Sequence, residues 1–539
     1  MDAEKDSTSF VGGMRMKSGY KIVLTADRTL MSEYGDSIFL GFSACMPVGV
    51  IPDKLYFSMF CPSVKANKDG SAEVALCGTR KVEASLLKYG FRRDEIIVAH
   101  PDHIGEVVGQ KTKVVGVTEN DPLGIGPATS TFTQLFNGEA YMAVKFRELL
   151  NHPAVKEFHP KIIVGGSGAW QLEDPRIRGE LGIDCVVNGE GEEMVGPLFE
   201  KAVRGEPLPA LVHGKVVPEE DIPTIVDPTI SGIVEIARGC GRGCDFCVPT
   251  MLNYRCLSLD HILKEVDVNL KANRQPLLHA EDVLRYKAKG LEVNGDAVTG
   301  LFKAVKNHPG VRTVEISHFA LSSVLSAPEV VEEISDILGL NGDVLLGGQT
   351  GIETGSPRLI KEHMLGKCKP FRPEDWPDVV LNSFEVLSRN HWAPCATLIL
   401  GLPGEQEEDI NLTIELVEKL KNFESLIVPL FLVSMGGLKD KADSFTLQRL
   451  TPRHSELFLK CWEHNFRWTP KFLDDFTTGR RGMRILLSYG IRYTENLIKE
   501  CQNHYNYDML RMIMDIRSGR KTIDPLSNRI LNRLLNFVK

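Results

Sequence analysis

Two series of short β-branched runs alternating with helix-like segments constrain this chain more than any other feature. The first runs from about residue 20 to 205: "YKIVLTA", "DEIIVAH", "KVVGVTE", "PKIIVGG" and "IDCVVNGEGEE" read as strands, and "RKVEASLLKYGF" and "YMAVKFRELLNH" as helices between them. Strands alternating with helices predict a parallel, doubly wound, Rossmann-like sheet. Ligands of such sheets bind beyond the carboxyl ends of the strands, which marks the loops "TENDPLGIGPATSTF", "GGSGAW" and "NGEGEE". A proline-bearing stretch at 206–230 reads as a surface linker. The second series, 231–440, has six strand-like runs: "GIVEIARG", "QPLLHAED", "TVEISHFA", "DVLLGGQTG", "CATLILGLPGE" and "SLIVPLFLVS". Six strand–helix units predict a partial (β/α)6 barrel with its site at the carboxyl ends of the strands. Residues 1–19 read as a polar tail, and 441–539 as a mainly helical region. The predicted class is therefore α/β, in two parallel-sheet domains and a helical cover.

Composition removes several function classes. With 539 residues, 43% hydrophobic and 25% charged, the chain buries a large core without disulfides. Twelve irregularly spaced cysteines fit a reducing, cytoplasmic setting. The acidic N-terminus lacks a signal-peptide pattern. The run "SLIVPLFLVSM" is too short to span a bilayer, so no membrane role is expected. A net charge of −8 argues against a nucleic-acid partner.

Directly after the first strand of the second series lies "ARGCGRGCDFC", with Cys240, Cys244 and Cys247 spaced C-x3-C-x2-C. Thiolates select soft metals. A structural zinc site needs four ligands, and Cys256 is further along, past a segment that reads as the start of a helix. Three cysteines also suit a [4Fe–4S] cluster with one iron left open, and a zinc knuckle or buried free thiols remain alternatives.

The triplet, set after the first strand of a partial barrel with Phe246 before its third cysteine, resembles the radical S-adenosylmethionine superfamily. The resemblance implies that the open iron binds S-adenosylmethionine, whose one-electron cleavage gives a 5′-deoxyadenosyl radical. Protein groups then serve placement and shielding. "GIETGSPRLIKEHMLGK" resembles the family's fourth-strand segment, which implies S-adenosylmethionine contacts for Gln349, Glu353 and Ser356. "TLILGLPGE" resembles the fifth-strand segment, with Gly401 and Gly404 letting the backbone approach the adenine. Glu281 in "LLHAEDVLRY" stands where the second strand offers a polar group to the methionine amine, without the familiar "GGE". His318 in "VEISHFA" is read as a packed strand histidine.

A doubly wound domain ahead of such a barrel resembles the cobalamin-dependent class of these enzymes. The implied cobalamin contacts are Gly124, Gly126, Ala128, Ser130 and Thr131, then Gly165, Gly166 and Ser167, then Gly189 and Glu190. The D-x-H-x-x-G motif of cobalt-ligating domains is absent, since "PDHIGEVVG" has the wrong spacing, so His103 is not expected to bind cobalt. Cys45, Cys61 and Cys77 raise a methylthiotransferase with a second cluster, but their surroundings do not match that family and they are read as buried core thiols.

Together these features resemble a cobalamin-dependent radical S-adenosylmethionine methyltransferase over residues 20–440. Such an enzyme implies methylation of an unactivated sp3 carbon by way of methylcobalamin, with ferredoxin or flavodoxin as electron donor. "DPLGIGPATSTFTQLFNGEAYMAVKFRELL" and "GKCKPFRPEDWPDVVLNSFEVLSRNHWAP" resemble the methanogen branch, which implies a glutamine of the methyl-coenzyme M reductase α subunit as substrate. Trp462, Trp468, Arg480, Arg481 and Tyr493 are then candidates for peptide contact. The alternatives are a methylthiotransferase on tRNA or protein, a cobalamin-dependent enzyme of natural-product synthesis, and a non-catalytic binding protein.

Overall fold

Each short apolar run of the first series is a buried strand in the computed structural model, which describes residues 18–34, 41–248, 253–477 and 481–520. The strands are β1 (Ile22–Thr25), β2 (Ile96–Val98), β3 (Val114–Thr118), β4 (Lys161–Gly165), β5 (Cys185–Asn188) and β6 (Leu211–His213). They form one parallel sheet in the order β2-β1-β3-β4-β5-β6. Both faces are covered, so side chains alternate between two apolar layers. Ile22 and Leu24 pack with Leu86 and Phe199 on one side, while Val23 packs with Val115 and Phe146 on the other. The strand order turns at β1 and β3, the point at which a doubly wound sheet opens its ligand crevice.

The stretch 206–230, expected to be a surface linker, runs over the surface for much of its length but is anchored at several points. Leu211–His213 extends the sheet as its edge strand, and Val217, Ile222, Ile225 and Thr229 are buried. Its prolines do not block this, because an edge strand needs backbone donors on one side only.

The second series gives β7 (Ile233–Glu235), the short antiparallel pair β8 (Ala237–Arg238) and β9 (Arg255–Cys256), then β10 (Leu277–His279) and β11 (Glu315–Ile316). The long strands β12 (Leu346–Glu353), β13 (Trp392–Leu400) and β14 (Leu426–Phe431) follow. Strands β7, β10 and β11 pair in parallel, as do β12, β13 and β14. A parallel bridge between His318 and Gln349 joins the two sets. The result is a six-strand parallel arc, open between β7 and β14. Helices Leu259–Lys271, Gly295–Lys306, Pro328–Leu338, Trp376–Arg389 and Glu407–Leu420 connect the strands.

An open barrel has unpaired edges, and such edges need covering. The edge of β14 is met by the helix Pro452–Thr477, whose Asn465 imitates a strand. Its amide oxygen accepts from Ile427 N at 2.7 Å and its nitrogen donates to Ile427 O at 2.8 Å. The helical C-terminal region thus closes a barrel edge. Farther along, Arg517 of the helix Met509–Arg517 donates to the carbonyls of Gln134 and Leu135 in the first domain. No helix of the described residues is long and apolar enough to cross a membrane.

Candidate active site

The three cysteines sit on an irregular loop after β8, at the carboxyl end of the barrel. Gly239, Gly241 and Gly243 take φ of +70°, +65° and +71°, so the loop coils tightly around alternate positions. Two more glycines grip it from outside. A Cβ on Gly366 would stand 1.9 Å from Arg242 O, and one on Gly436 would stand 1.9 Å from Cys247 O. The backbones after β12 and β14 therefore lie directly against the loop. Asp245 adds hydrogen bonds to the same two segments, donating from N to His363 O and accepting from Leu438 N.

Arg242 locks the loop from within. Its guanidinium donates to Asp282 at 2.8 Å, to Ser322 and Ser323 at 2.9 Å each, and to the carbonyls of Gly366 and Lys367. Arg285 donates to Cys240 O. Loops from four strand ends thus hold one nine-residue turn. Sequence reading missed Arg242, Asp282, Ser322 and Lys367. Arg242, lying between the first two cysteines, was the one available signal.

The thiols interact with one another. A hydrogen bond with Cys247 brings the Cys244 thiol down to about 7, with Lys367 and Arg242 assisting against burial. The same hydrogen bond, together with burial, pushes Cys247 up, and Cys240 adds to that shift. Burial raises Cys240. Three thiols in mutual electrostatic range, on a loop braced by cations, form a donor set that fits an iron–sulfur cluster. No three His, Cys, Asp or Glu side chains among the described residues converge on a single metal-ion position. Cys256 is engaged elsewhere, with its sulfur 2.8 Å from Tyr254 OH and accepting from Lys287 N at 3.1 Å.

The other residues expected at S-adenosylmethionine divide into two groups. Glu353 ends β12 and Glu281 follows β10, while Gln349 lies midway along β12. Glu353 is buried at a bulge of β12 with φ +64°, a conformation the backbone resists in a residue with a Cβ. It accepts from Lys367 at 2.9 Å and from Thr397 at 3.2 Å. Gln349 bonds to His318 at the seam of the two strand sets. Burial brings His318 down to about 4, and its Nδ1 has no partner. Glu281 acts electrostatically on Cys240 and on His279. Phe246 is half-buried against the barrel core.

Ser356 and Gly401 are used structurally. Ser356 is fully buried, caps the helix Pro357–His363, and donates to Asp409 at 2.5 Å, which leaves its hydroxyl spent. The open side of Gly401 faces the Phe445 ring, which a Cβ would approach to 2.0 Å. Gly404 takes φ +73°, and a Cβ there would meet only the ends of Glu362 and Arg358, at 3.8 and 3.9 Å.

In the first domain the strand ends face the barrel mouth. Glu190, after β5, pairs with Arg238 at 3.1 Å and with Arg255, and Glu192 pairs with Arg238 at 2.6 Å. Lys81 reaches Glu265 at 2.5 Å and Glu235 at 3.7 Å. Burial works against the Glu235 charge, yet Arg238 and Lys81 hold its carboxyl down at about 2. Thr131 accepts from Phe431 N at 2.8 Å, where β14 ends. Glu190 and Thr131, expected at cobalamin, are therefore clasps between the domains. Gly126 is closed by Asp121, whose carboxylate accepts its N–H at 3.0 Å, and Ser130 accepts from Gln134 at 3.0 Å. Gly189 lies against Gly214, and Gly165 ends β4.

The remaining expected positions are open. Gly166 and Ser167 are exposed and Ala128 is half-exposed, with Ile125 exposed beside them on the loop after β3. This small-residue stretch at the ends of β3 and β4 fits a flat ligand. Gly124 lines a separate open cleft of ≈ 590 Å³ shared with Gln448 and Arg517, which contains none of the three loop cysteines.

Cys45, Cys61 and Cys77 have separate surroundings. Cys45 lies against Thr129 and Asp121, Cys61 against Tyr34 and Arg28, and Cys77 against Lys81 and Glu235. Burial raises all three thiols, Cys45 and Cys77 to about 12. Of the peptide-contact candidates, Trp462 packs between Phe458 and Phe466, and the Trp468 indole N–H is buried without a partner. Tyr493 is part-buried. Arg480 and the Arg481 side chain lie outside the described residues.

No family model matches the chain. It is similar to the ribosomal protein uS12 methylthiotransferase of Clostridium kluyveri, 25% identical over 232 residues, 42% of this chain and 48% of that protein. It is also similar to the tRNA-2-methylthio-N(6)-dimethylallyladenosine synthase of Thermotoga petrophila, 24% identical over 282 residues, 50% of this chain and 58% of the other. An uncharacterised protein of Methanocaldococcus jannaschii is 25% identical over 323 residues, 49% of this chain and 61% of its own length. The chain thus spans about half the length of the curated relatives it matches. A solved radical S-adenosylmethionine methyltransferase from Kitasatospora setae, holding a tryptophan substrate and an S-adenosylmethionine analogue, aligns with a TM-score of 0.49 and 13% identity, over 76% of this chain and 73% of that one. In sequence, then, about half of this chain is similar to enzymes named for methylthio groups on a ribosomal protein and on tRNA.

Proposed function

We propose that the chain is a cobalamin-dependent radical S-adenosylmethionine C-methyltransferase acting on an unactivated sp3 carbon of a peptidyl residue. The observation that carries this reading is the braced cysteine loop at the mouth of a six-strand parallel arc, with a second parallel sheet presenting its strand ends to the same mouth. Cys240, Cys244 and Cys247 would hold the [4Fe–4S] cluster, which when bound supplies the one-electron reduction of S-adenosylmethionine that begins hydrogen abstraction. The loops bearing Gly166, Ser167 and Ala128 would carry cobalamin, which when bound supplies the methyl group.

The protein's own groups do the positioning. Arg242, Gly366 and Gly436 fix the loop, so the three thiols keep their mutual spacing as an electron arrives. Glu353, Gln349 and Glu281 supply polar atoms on and just past the adjoining strands for the S-adenosylmethionine head and ribose. The clasp of Glu190 with Arg238 and Arg255 holds the two strand-end faces together. The proposed substrate is a glutamine of the methyl-coenzyme M reductase α subunit, met as an unassembled segment, with ferredoxin or flavodoxin as reductant.

A methylthiotransferase is the second reading, favoured by the curated relatives. The separate surroundings of Cys45, Cys61 and Cys77 support the first reading over it. The deciding experiment is anaerobic reconstitution with iron, sulfide and cobalamin counted per chain, followed by assay of a glutamine peptide with S-adenosylmethionine. One four-iron cluster, one cobalamin and a methylated peptide bear the proposal out. Two clusters without cobalamin overturn it in favour of sulfur insertion.

A further inference from the structure

Beside the cysteine loop lies a buried ion pair whose lysine has no part in the reading above. Lys367 Nζ donates to Glu353 Oε1 at 2.9 Å, and the side chains are 16% and 8% exposed. The pair rests on the bare face of Gly351, where a Cβ would stand 1.8 Å from Glu353 Oε1 and 2.6 Å from Lys367 Nζ. Thr397 donates to the other carboxylate oxygen at 3.2 Å. The Lys367 backbone is fixed to the loop itself, because its carbonyl accepts from Arg242 at 3.4 Å and from Ser322 at 2.8 Å. The preceding residue, Gly366, touches the Arg242 backbone.

This attachment sets the pair beside the cysteine loop, one residue from the close contact of Gly366 with the Arg242 carbonyl. Interactions between charges are strong in such a buried setting, because little water intervenes to screen them.

Given the cluster proposed above, we infer that the Lys367–Glu353 pair sets its reduction potential. Taking up one electron adds a negative charge to a group already carrying three thiolates. The ammonium favours that reduced state and the carboxylate opposes it. Neutralising one partner therefore moves the potential one way, and neutralising the other moves it the opposite way. A pair that merely packed the loop would give no such opposition of sign.

The test is a potentiometric titration of the reconstituted full chain without S-adenosylmethionine, reading the reduced cluster by electron paramagnetic resonance. Lys367→Met is expected to lower the midpoint potential and Glu353→Gln to raise it. Each shift is expected to change the reduced-to-oxidised ratio at least tenfold, about 59 mV for a one-electron couple. The double variant is expected to return towards the parent. Lys367→Gln, nearer in shape, carries the same expectation should the methionine variant load poorly. Unmoved potentials, or shifts of one sign in both single variants, overturn the inference while leaving the proposed function standing. A parent chain that takes up no cluster overturns both.

Discussion

Arg242 lies within the cysteine loop and donates to Asp282 at 2.8 Å, with 5% and 2% of the two side chains exposed. The pair ties the loop to the end of β10, one strand over from the loop's own origin. Removing one partner of a buried ion pair leaves the other charged and uncompensated, at a cost of about 3–5 kcal/mol. Asp282→Ala is therefore expected to lower thermal stability and to reduce iron uptake on reconstitution. Asp282→Asn keeps an acceptor for Arg242 and is expected to retain more of both. Equal iron content in parent and Asp282→Ala would mean that the loop holds its shape without the Arg242–Asp282 pair.

Much of this arrangement was legible in the sequence, and the part that was not has a physical cause. Strand runs such as "KVVGVTE" and "PKIIVGG" announce themselves because a sheet buried on both faces needs unbroken β-branched residues. The cysteine spacing is local and is read directly. What holds the loop is not local, since Arg242 finds Asp282 40 residues on and the Gly366 carbonyl 124 residues on. Such partners leave no periodic mark. Glu190 and Thr131 misled for a related reason. Their loops have the small, polar character of a ligand surface, yet these two side chains reach across to another domain. The stretch 206–230 looked like a linker because prolines punctuate it, and only part of its apolar set, Val217, Ile222, Ile225 and Ile230, is buried while Val216 and Val226 stay exposed.

The clasp between the domains makes a second prediction. Glu190 accepts from Arg238 and Arg255, and its side chain is 10% exposed. Glu190→Ala leaves two part-buried guanidinium groups without this carboxylate, although Glu192 and Glu235 still serve Arg238. The domains are expected to stay folded and to loosen from each other. Amide hydrogen exchange should then rise in residues 186–192 and 211–217 and stay unchanged in β13, the centre of the barrel set. A uniform rise throughout the chain would count against a local clasp.

The last prediction concerns two carboxyls at the crevice of the first sheet. Asp27 follows β1 and Glu119 follows β3, and both are 0% exposed. Asp27 N donates to Glu119 Oε1 at 3.1 Å, while Asp27 Oδ1 accepts from Thr29 N and Oγ1 at 2.6 Å each. The remaining oxygens, Asp27 Oδ2 and Glu119 Oε2, are buried without a donor. A proton shared between the carboxyls satisfies both. Burial raises Asp27 from 3.8 to about 6, and burial together with Asp27 raises Glu119 well above its ordinary value. A raised carboxyl binds its proton more tightly in the folded state. The stability it contributes is whole below pH 3.8 and is lost as pH climbs through 6. The Asp27 shift corresponds to about 3 kcal/mol. Asp27→Asn keeps the acceptor for Thr29 and replaces the shared proton with a permanent N–H donor to Glu119. Denaturant unfolding should find this variant close to the parent at pH 4 and more stable than it at pH 7.5, by up to about 3 kcal/mol. A gap that does not widen with pH would show that the two carboxyls do not share a proton.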